Sequence, residues 1–257
     1  MPSKKRQERI TFILDSLRST GGASIRDLAG TLDVSEMTIR RDLDLLSSTG
    51  QVRMVHAGAI PSDREAEGTR RGASHGLSEE KMRIGRKAAS LLEPGDVVII
   101  DSGATTEWLT RSIPADLPVT IVCFALNIAL EAGRYPSRSV VLAGGVVQDE
   151  TLVCRSPEGV SLVRRYRAGK AFLSAGGASD TLGVTCIDAS EAELKKAAMA
   201  SSRTRILLAD SGKFGRVTPA WFADLRDFDA IITDTGISLE YVDIIRNLGI
   251  ALHVVES

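Results

Sequence analysis

The stretch Val34-Ser35-Glu36-Met37-Thr38-Ile39-Arg40-Arg41-Asp42-Leu43 reads as a helix with a sharp beginning and two unlike faces. Ser35 is a good N-cap, Glu36 suits the positive end of a helix, and Gly50 suits its far end. At 3.6 residues per turn Ile39, Leu43 and Leu46 fall on one stripe, while Met37, Arg41, Asp44 and Ser48 fall opposite, with Thr38 and Arg40 between. One stripe belongs in a core; the other presents arginines and short polar groups.

Immediately before it, Ser24 to Leu32 reads as a short helix capped by Ser24 with Asp27 at the third position, and Asp33-Val34 leave room only for a tight turn. Two helices joined so closely make a helix-turn-helix, in which the second helix enters the major groove. The same pattern also fits an amphipathic helix pair in a small bundle. Ile10, Ile13, Leu14 and Leu17 give a first helix that ends before Gly21-Gly22, and Val52 to Ile60 reads as two short strands around a turn. Those strands are either the wing of a winged helix-turn-helix or a plain exit hairpin. On the DNA reading the contacts fall to Ser24, Ser35, Glu36, Met37, Thr38, Arg40 and Arg41, with Arg53 and His56 from the hairpin. Lys4, Lys5, Arg6 and Arg9 are further candidates for phosphates.

The chain's 257 residues fit two domains of modest size, or one small module and one large domain. Hydrophobic content of 43% and charged content of 25% suit a water-soluble globular protein, and no apolar run reaches membrane-spanning length. The basic start, Lys4-Lys5-Arg6, has no apolar run behind it and is not expected to be a leader, which makes the cytoplasm the expected location. Cys123, Cys154 and Cys186 are far apart and odd in number, arguing against a disulfide framework and against zinc. Neither metal nor cofactor is expected. Up to Ile60 there are nine Lys/Arg against seven Asp/Glu, and 23 against 26 beyond it. That asymmetry has the sign DNA requires but is weak, so the placement of the arginines carries more.

From Pro61 to Gly76 there is almost nothing to bury, the mark of a linker. Then Ser78 begins a helix to about Leu92, and Val97 to Ile100 is a buried strand. Similar strands recur at Val119 to Cys123, Val140 to Leu142, Ala171 to Leu173, Ile206 to Ala209, Ala230 to Thr233 and Ala251 to Val255. Strands alternating with helices imply a mostly parallel sheet covered on both faces. Ligands of such sheets bind beyond the carboxyl ends of the strands. Asp101-Ser102-Gly103-Ala104-Thr105-Thr106 follows one strand and opens a helix, offering backbone N–H groups, a flexible glycine and hydroxyls to a phosphate or carboxylate. Gly and Thr also make ordinary strand-to-helix turns. Gly144-Gly145, Gly176-Gly177 and Asp210-Ser211-Gly212-Lys213 repeat the theme. Lys213 could balance a phosphate or be simply solvated, and Glu191 with Lys195 reads equally as a surface i, i+4 pair.

Two resemblances sharpen this. Arg9 to Ala59 resembles the helix-turn-helix of the DeoR family of bacterial repressors, through Leu28-Ala29, Val34-Ser35, Thr38-Ile39-Arg40-Arg41-Asp42-Leu43 and His56-Ala57-Gly58-Ala59. Ala57 replaces the first of two glycines usual there, leaving Gly58 to supply a positive φ if the turn needs one. Glu80-Lys81 to Asp234 is similar to that family's sugar-phosphate sensor domain, through Asp101-Ser102-Gly103, Thr105-Thr106, Gly144-Gly145, Glu191, Met199, Asp210-Ser211, Lys213-Phe214 and Ile232-Thr233-Asp234. Ala104 stands where the family usually has threonine. Cys123-Phe124, Leu126-Asn127, Gly183 to Cys186 and Lys213 to Val217 resemble the branch responding to deoxyribose 5-phosphate, which implies Phe124 beside the sugar. The expected architecture is α/β, with an N-terminal winged helix-turn-helix over 1–60, a linker over 61–77 and a larger Rossmann-like parallel-sheet sugar-phosphate sensor domain over 78–257. The implied effector contacts are Asp101, Ser102, Gly103, Ala104, Thr105, Thr106, Phe124, Gly144, Gly145, Gly176, Glu191, Lys195 and Lys213.

The expected function is a repressor of a sugar or nucleoside catabolic operon, released from double-stranded operator DNA by a phosphorylated sugar, with deoxyribose 5-phosphate as leading candidate. A homo-oligomer is expected, because two recognition helices on two half-sites gain affinity and specificity. The alternative is a sugar-phosphate isomerase-like enzyme, since the family's sensor fold resembles ribose-phosphate isomerases. Where those enzymes carry an acidic loop this chain has Ser174-Ala175-Gly176-Gly177-Ala178, with no carboxylate to move a proton. A protein-interaction module with a degenerate DNA-binding domain is a third class; Thr38, Arg40 and Arg41 are all present and count against it.

Overall fold

The computed structural model describes residues 4–20, 23–48, 51–55, 58–61, 79–149 and 151–256. They divide into two compact units, 1–76 and 77–257. In the first, α1 (Lys4–Thr20), β1 (Ala23–Ser24), α2 (Ile25–Leu32) and α3 (Glu36–Ser48) precede β2 (Val52–Val55) and β3 (Gly58–Pro61). Ser24 Oγ accepts the Asp27 N–H at 3.0 Å, and α2 ends at Asp33 in the left-handed region with φ of 48°. Val34 N–H then returns to Ala29 O at 3.1 Å, and only Asp33, Val34 and Ser35 separate α2 from α3. Ile13, Leu17, Leu28, Ile39, Leu43 and Leu46 form one core.

The two strands around a turn are a wing and more than an exit hairpin, because β1 adds to them in the sheet order β1-β3-β2. Gly58 has no positive φ; it is required because a Cβ there would lie 2.1 Å from Ala23 O, where β3 crosses β1. Pro61, placed in the linker by composition, is the last residue of β3. Gly50, His56 and Ser78 lie outside the described residues.

The second unit runs α4 (Glu79–Ala89), β4 (Val97–Ile100), α5 (Ala104–Ser112), β5 (Val119–Cys123), α6 (Leu126–Ala132), β6 (Arg138–Leu142), β7 (Val146–Val147), β8 (Cys154–Arg155) and α7 (Pro157–Arg165). It continues with β9 (Ala168–Ser174), β10 (Gly177–Ser179), β11 (Gly183–Cys186), α8 (Ala189–Ala200), β12 (Ser202–Leu208), β13 (Ala220–Ala223), β14 (Ala230–Asp234), α9 (Leu239–Asn247) and β15 (Ala251–Val255). Seven strands make one parallel sheet in the order β15-β14-β12-β9-β4-β5-β6. Buried residues form a core on each face: Ile84, Ile100, Leu109 and Ile121 belong to one, and Val122, Leu173, Leu194 and Phe222 to the other.

All seven predicted strands are present, several of them longer than their apolar runs because ladder pairing extends past the hydrophobic residues. A three-stranded antiparallel sheet, β10-β11-β13, was not signalled, since its strands are short and glycine-bearing. From β4 the chain moves outward to β5 and β6, then returns on β4's other side as β9. This reversal puts a topological switch point between β4 and β9, the place where such sheets bind ligands.

Candidate functional site

On α3, closure of Ile39, Leu43 and Leu46 into the core turns Glu36, Met37, Arg40 and Arg41 to the surface. Met37 is exposed on this face beside the two arginines. Ser35 Oγ accepts the Thr38 N–H at 3.3 Å and lies 2.9 Å from Thr38 Oγ1, so these hydroxyls fix the helix start. Ser24 is likewise occupied at the start of α2, and Arg53 lies on β2.

Asp42 shares the recognition helix with the arginines but is buried. It accepts Arg6 Nε at 2.8 Å and Arg9 Nε at 2.6 Å, tying α1 to α3. Arg6 and Arg9, phosphate candidates from the sequence, thus have a structural role through Nε: both guanidiniums share one carboxylate inside this unit, which leaves the trio net positive. Periodicity could not reveal this, because Asp42 lies more than thirty positions from either arginine.

At the switch point the end of β4 meets the end of β9. Asp101 N–H donates to Phe172 O at 3.0 Å, and Asp101 Oδ2 accepts the Ser174 N–H at 2.7 Å and lies 2.8 Å from Ser174 Oγ. Lys195 Nζ, from α8, donates to the same Asp101 Oδ2, to Glu191 Oε1 at 3.0 Å and to Ser174 O at 3.2 Å. Lys195 and Asp101 are completely buried and the Glu191 side chain is 12% exposed. The surface-pair reading of Glu191 and Lys195 is thereby overturned. Burial alone would lower the Lys195 pKa, but Asp101 and Glu191 outweigh it and raise the pKa above the ordinary lysine value. The Lys195 ammonium is thus held between the Asp101 and Glu191 side chains. Ser102 Oγ lies 3.4 Å from both Asp101 Oδ1 and Glu191 Oε1.

Beside this cluster α5 begins. Gly103 has φ of 121°, and a Cβ there would come within 3.2 Å of Ser174 Oγ, so only glycine lets the helix start lie against β9. The first helical bond runs from Glu107 N–H to Gly103 O at 3.0 Å, so the N–H groups of Ala104, Thr105 and Thr106 precede the ladder. They form the anion-attracting end of the helix. Thr106 Oγ1 donates to Gly103 O at 2.9 Å, and Thr105 is buried beside it. Chemically the site pairs backbone donors for an anion with a Glu191 carboxylate able to accept sugar hydroxyls.

The structure thus unites Asp101, Ser102, Gly103, Ala104, Thr105, Thr106, Glu191 and Lys195, and adds Ser174, which follows an apolar run as Asp101 does but was not singled out. Gly176, just past β9, donates its N–H to Thr185 O at 2.8 Å. Lys213 follows β12, the neighbour of β9, in a 3-10 turn. There Asp210 and Ser211 line a cavity of about 590 Å³ together with Lys81, Arg83 and Asp234. Gly144 and Gly145 lie two strands from β4, lining an open cavity of about 710 Å³ with Ser156, Glu158 and Arg165. Phe124 is corrected: it is wholly buried in the core with Val122 and Ala143 and offers no face to a sugar.

Among the described residues no His, Cys, Asp or Glu group could hold a metal ion, and no helix is long and apolar enough to cross a membrane. Burial pushes the thiols of Cys123 and Cys186 up to about 12, as expected of small core hydrophobes.

A winged helix-turn-helix with an outward arginine face, joined in one chain to a parallel α/β unit with a polar site at its switch point, defines a ligand-responsive DNA-binding regulator. Residues 9–65 match the DeoR-like helix-turn-helix domain and residues 77–235 the DeoR C terminal sensor domain, and the chain belongs to the DeoR family of transcriptional regulators. It is 32% identical over 246 residues to the deoxyribose operon repressor of Escherichia coli K12, covering 93% of this chain and 94% of that one. It is 28% identical over 246 residues to the HTH-type transcriptional regulator IolR of Bacillus subtilis, covering 96% and 98%. Among solved structures, ribose 5-phosphate isomerase A of Methanocaldococcus jannaschii aligns over 52% of this chain and 53% of that one, at 16% identity and a TM-score of 0.38, too low to bear on function.

Proposed function

We propose that the protein represses a sugar or nucleoside catabolic operon and leaves its operator when a phosphorylated sugar binds the α/β unit. The observation that carries this is the switch-point site, where the free N–H groups at the start of α5 stand beside the buried Asp101, Lys195 and Glu191 cluster. The amides suit a phosphate, and Glu191 with Ser102 suits sugar hydroxyls. Lys213, one strand over, adds a cation for the phosphate. Likeness to a repressor named for deoxyribose along 93% of the chain makes deoxyribose 5-phosphate the first effector to test. Glu36, Met37, Thr38, Arg40 and Arg41 read the operator, and two copies of the chain supply two recognition helices.

No proton shuttle is part of this function: Ser174 to Ala178 has no carboxylate, and Lys195 holds Asp101 in an ion pair. The test is a thermal-shift panel of phosphosugars, unphosphorylated sugars and inorganic phosphate. A ligand that binds only the folded protein raises its midpoint in proportion to RT ln(1 + [L]/Kd). Stabilisation by deoxyribose 5-phosphate but not by deoxyribose is expected; equal responses to both would remove the phosphate from the proposal.

A further inference from the structure

Arg155 drew no attention in the sequence. It ends β8 opposite Val146, and its side chain reaches the start of α8, where Nη1 donates to Asp188 Oδ2 at 3.1 Å. Asp188 is the N-cap of α8, with its other oxygen on the Ser190 N–H at 2.8 Å. The Ser190 hydroxyl above all, with Arg155 adding to it against burial, holds the Asp188 carboxyl below its ordinary range. Arg155 is thus anchored to a fixed anion on the first turn of the helix that carries Glu191 and Lys195.

The remaining nitrogens tell a different story. Arg155 Nε and Nη2 are shielded from solvent and have no acceptor among the described residues, although the side chain as a whole is 25% exposed. Buried donors are nearly always satisfied, because an unmet one carries its full desolvation penalty. These two nitrogens form the straight edge of the guanidinium, whose parallel N–H bonds match two oxygens of a carboxylate or phosphate. The backbone presents them rigidly: Gly145 packs so closely on β8 that a Cβ there would lie 2.3 Å from Arg155 O, and Cys154 N–H is tied to Phe124 O at 2.8 Å.

We propose that Arg155 is an effector-binding residue, taking two oxygens of an anionic group of the sugar ligand on its Nε and Nη2 edge while Asp188 fixes the guanidinium through Nη1. This rests on the sensor reading given above. The group is a phosphate or a carboxylate, and Arg155 selects effectors that carry one in reach of α8.

The test compares the full-length parent with R155K, which keeps the charge but loses the fork, and with D188N, which keeps the fork but weakens its anchor. Each is titrated by thermal shift with deoxyribose 5-phosphate, ribonate, deoxyribose and inorganic phosphate, and far-UV circular dichroism checks the fold. For whichever anionic sugar stabilises the parent, R155K is expected to half-saturate at a concentration about tenfold higher or more, and D188N at an intermediate one. A parental response that R155K and D188N both retain at the parental concentration overturns the assignment of Arg155 alone. No parental response to any anionic sugar overturns the sensor reading and Arg155 with it. A phosphosugar response with none to ribonate identifies phosphate as the group, and the reverse identifies carboxylate.

Discussion

Replacing Lys195 by methionine tests how the switch-point site is held together. The ammonium serves Asp101, Glu191 at 3.0 Å and Ser174 O at 3.2 Å, and it is completely buried with Asp101. Methionine fills much of the same volume, so the loss is electrical more than steric. Removing one partner of a buried ion pair costs about 3 to 5 kcal/mol because the other charge stays behind. The Ser174 N–H and hydroxyl at 2.7 and 2.8 Å still serve Asp101, which places the expected loss near the lower end, about 3 kcal/mol. A domain stabilised by roughly 5 to 15 kcal/mol survives that, with a midpoint lower by about 6 to 12 °C. Both tryptophans, Trp108 and Trp221, lie in the α/β unit, so urea unfolding followed by tryptophan fluorescence reports on it. Because the folded pKa of Lys195 is raised, its contribution is fully present below the unfolded lysine value of about 10.4 and is lost only above it. The deficit of the variant should therefore be level from pH 6 to 9, on the order of the same 3 kcal/mol throughout. A loss under about 1 kcal/mol, the size of a surface pair, would refute the buried cluster.

Four further outcomes are expected. Arg41→Ala should leave the circular dichroism spectrum unchanged and weaken operator binding by about 1 to 3 kcal/mol, selectively among sequences if Arg41 reads a base and uniformly if it meets phosphate. Asp42→Ala should destabilise the N-terminal unit by roughly 2 to 4 kcal/mol, read from helical circular dichroism on heating, since Arg6 and Arg9 lose their shared acceptor. Burial would raise the Asp234 carboxyl, but the N–H groups of Ser211 at 2.7 Å and Gly236 at 2.9 Å outweigh it and lower its pKa; its contribution is present above the unfolded value of about 3.9 and lost as pH falls through the folded one. Parent and Asp234→Asn unfolding curves should accordingly differ at pH 6 and converge in acid. Native Cys123 and Cys186 should resist a thiol reagent at pH 8 until denaturant is added, because burial keeps them protonated.

Much of this architecture was legible because local signals repeat along the chain. The stripe of Ile39, Leu43 and Leu46 oriented α3, and apolar runs located every strand of the parallel sheet. Ser24 and Ser35 cap their helices as their residue types imply. What stayed hidden depends on distant partners. Asp42 looks like any exposed helix carboxylate until α1 folds over it, and Lys195 looks solvated until Asp101, 94 residues away, is brought against it. Arg155 carries no local signal at all. Phe124 erred the other way: the family resemblance implied a place beside the sugar, but at that position the side chain faces the core.

Control of DNA binding by a sugar phosphate at the switch point can be measured in one titration. A labelled duplex selected from a random pool for binding to the full-length protein is followed by fluorescence anisotropy as deoxyribose 5-phosphate is added, for the parent, Thr105→Val and Lys213→Ala. An effector releases DNA only through unequal affinity for the bound and free states, so weakening its contacts should spare DNA binding and impair release. All three proteins should bind the duplex alike, and the variants should need about tenfold more sugar phosphate to let go. Release of both variants at the parental concentration would contradict control from the switch point.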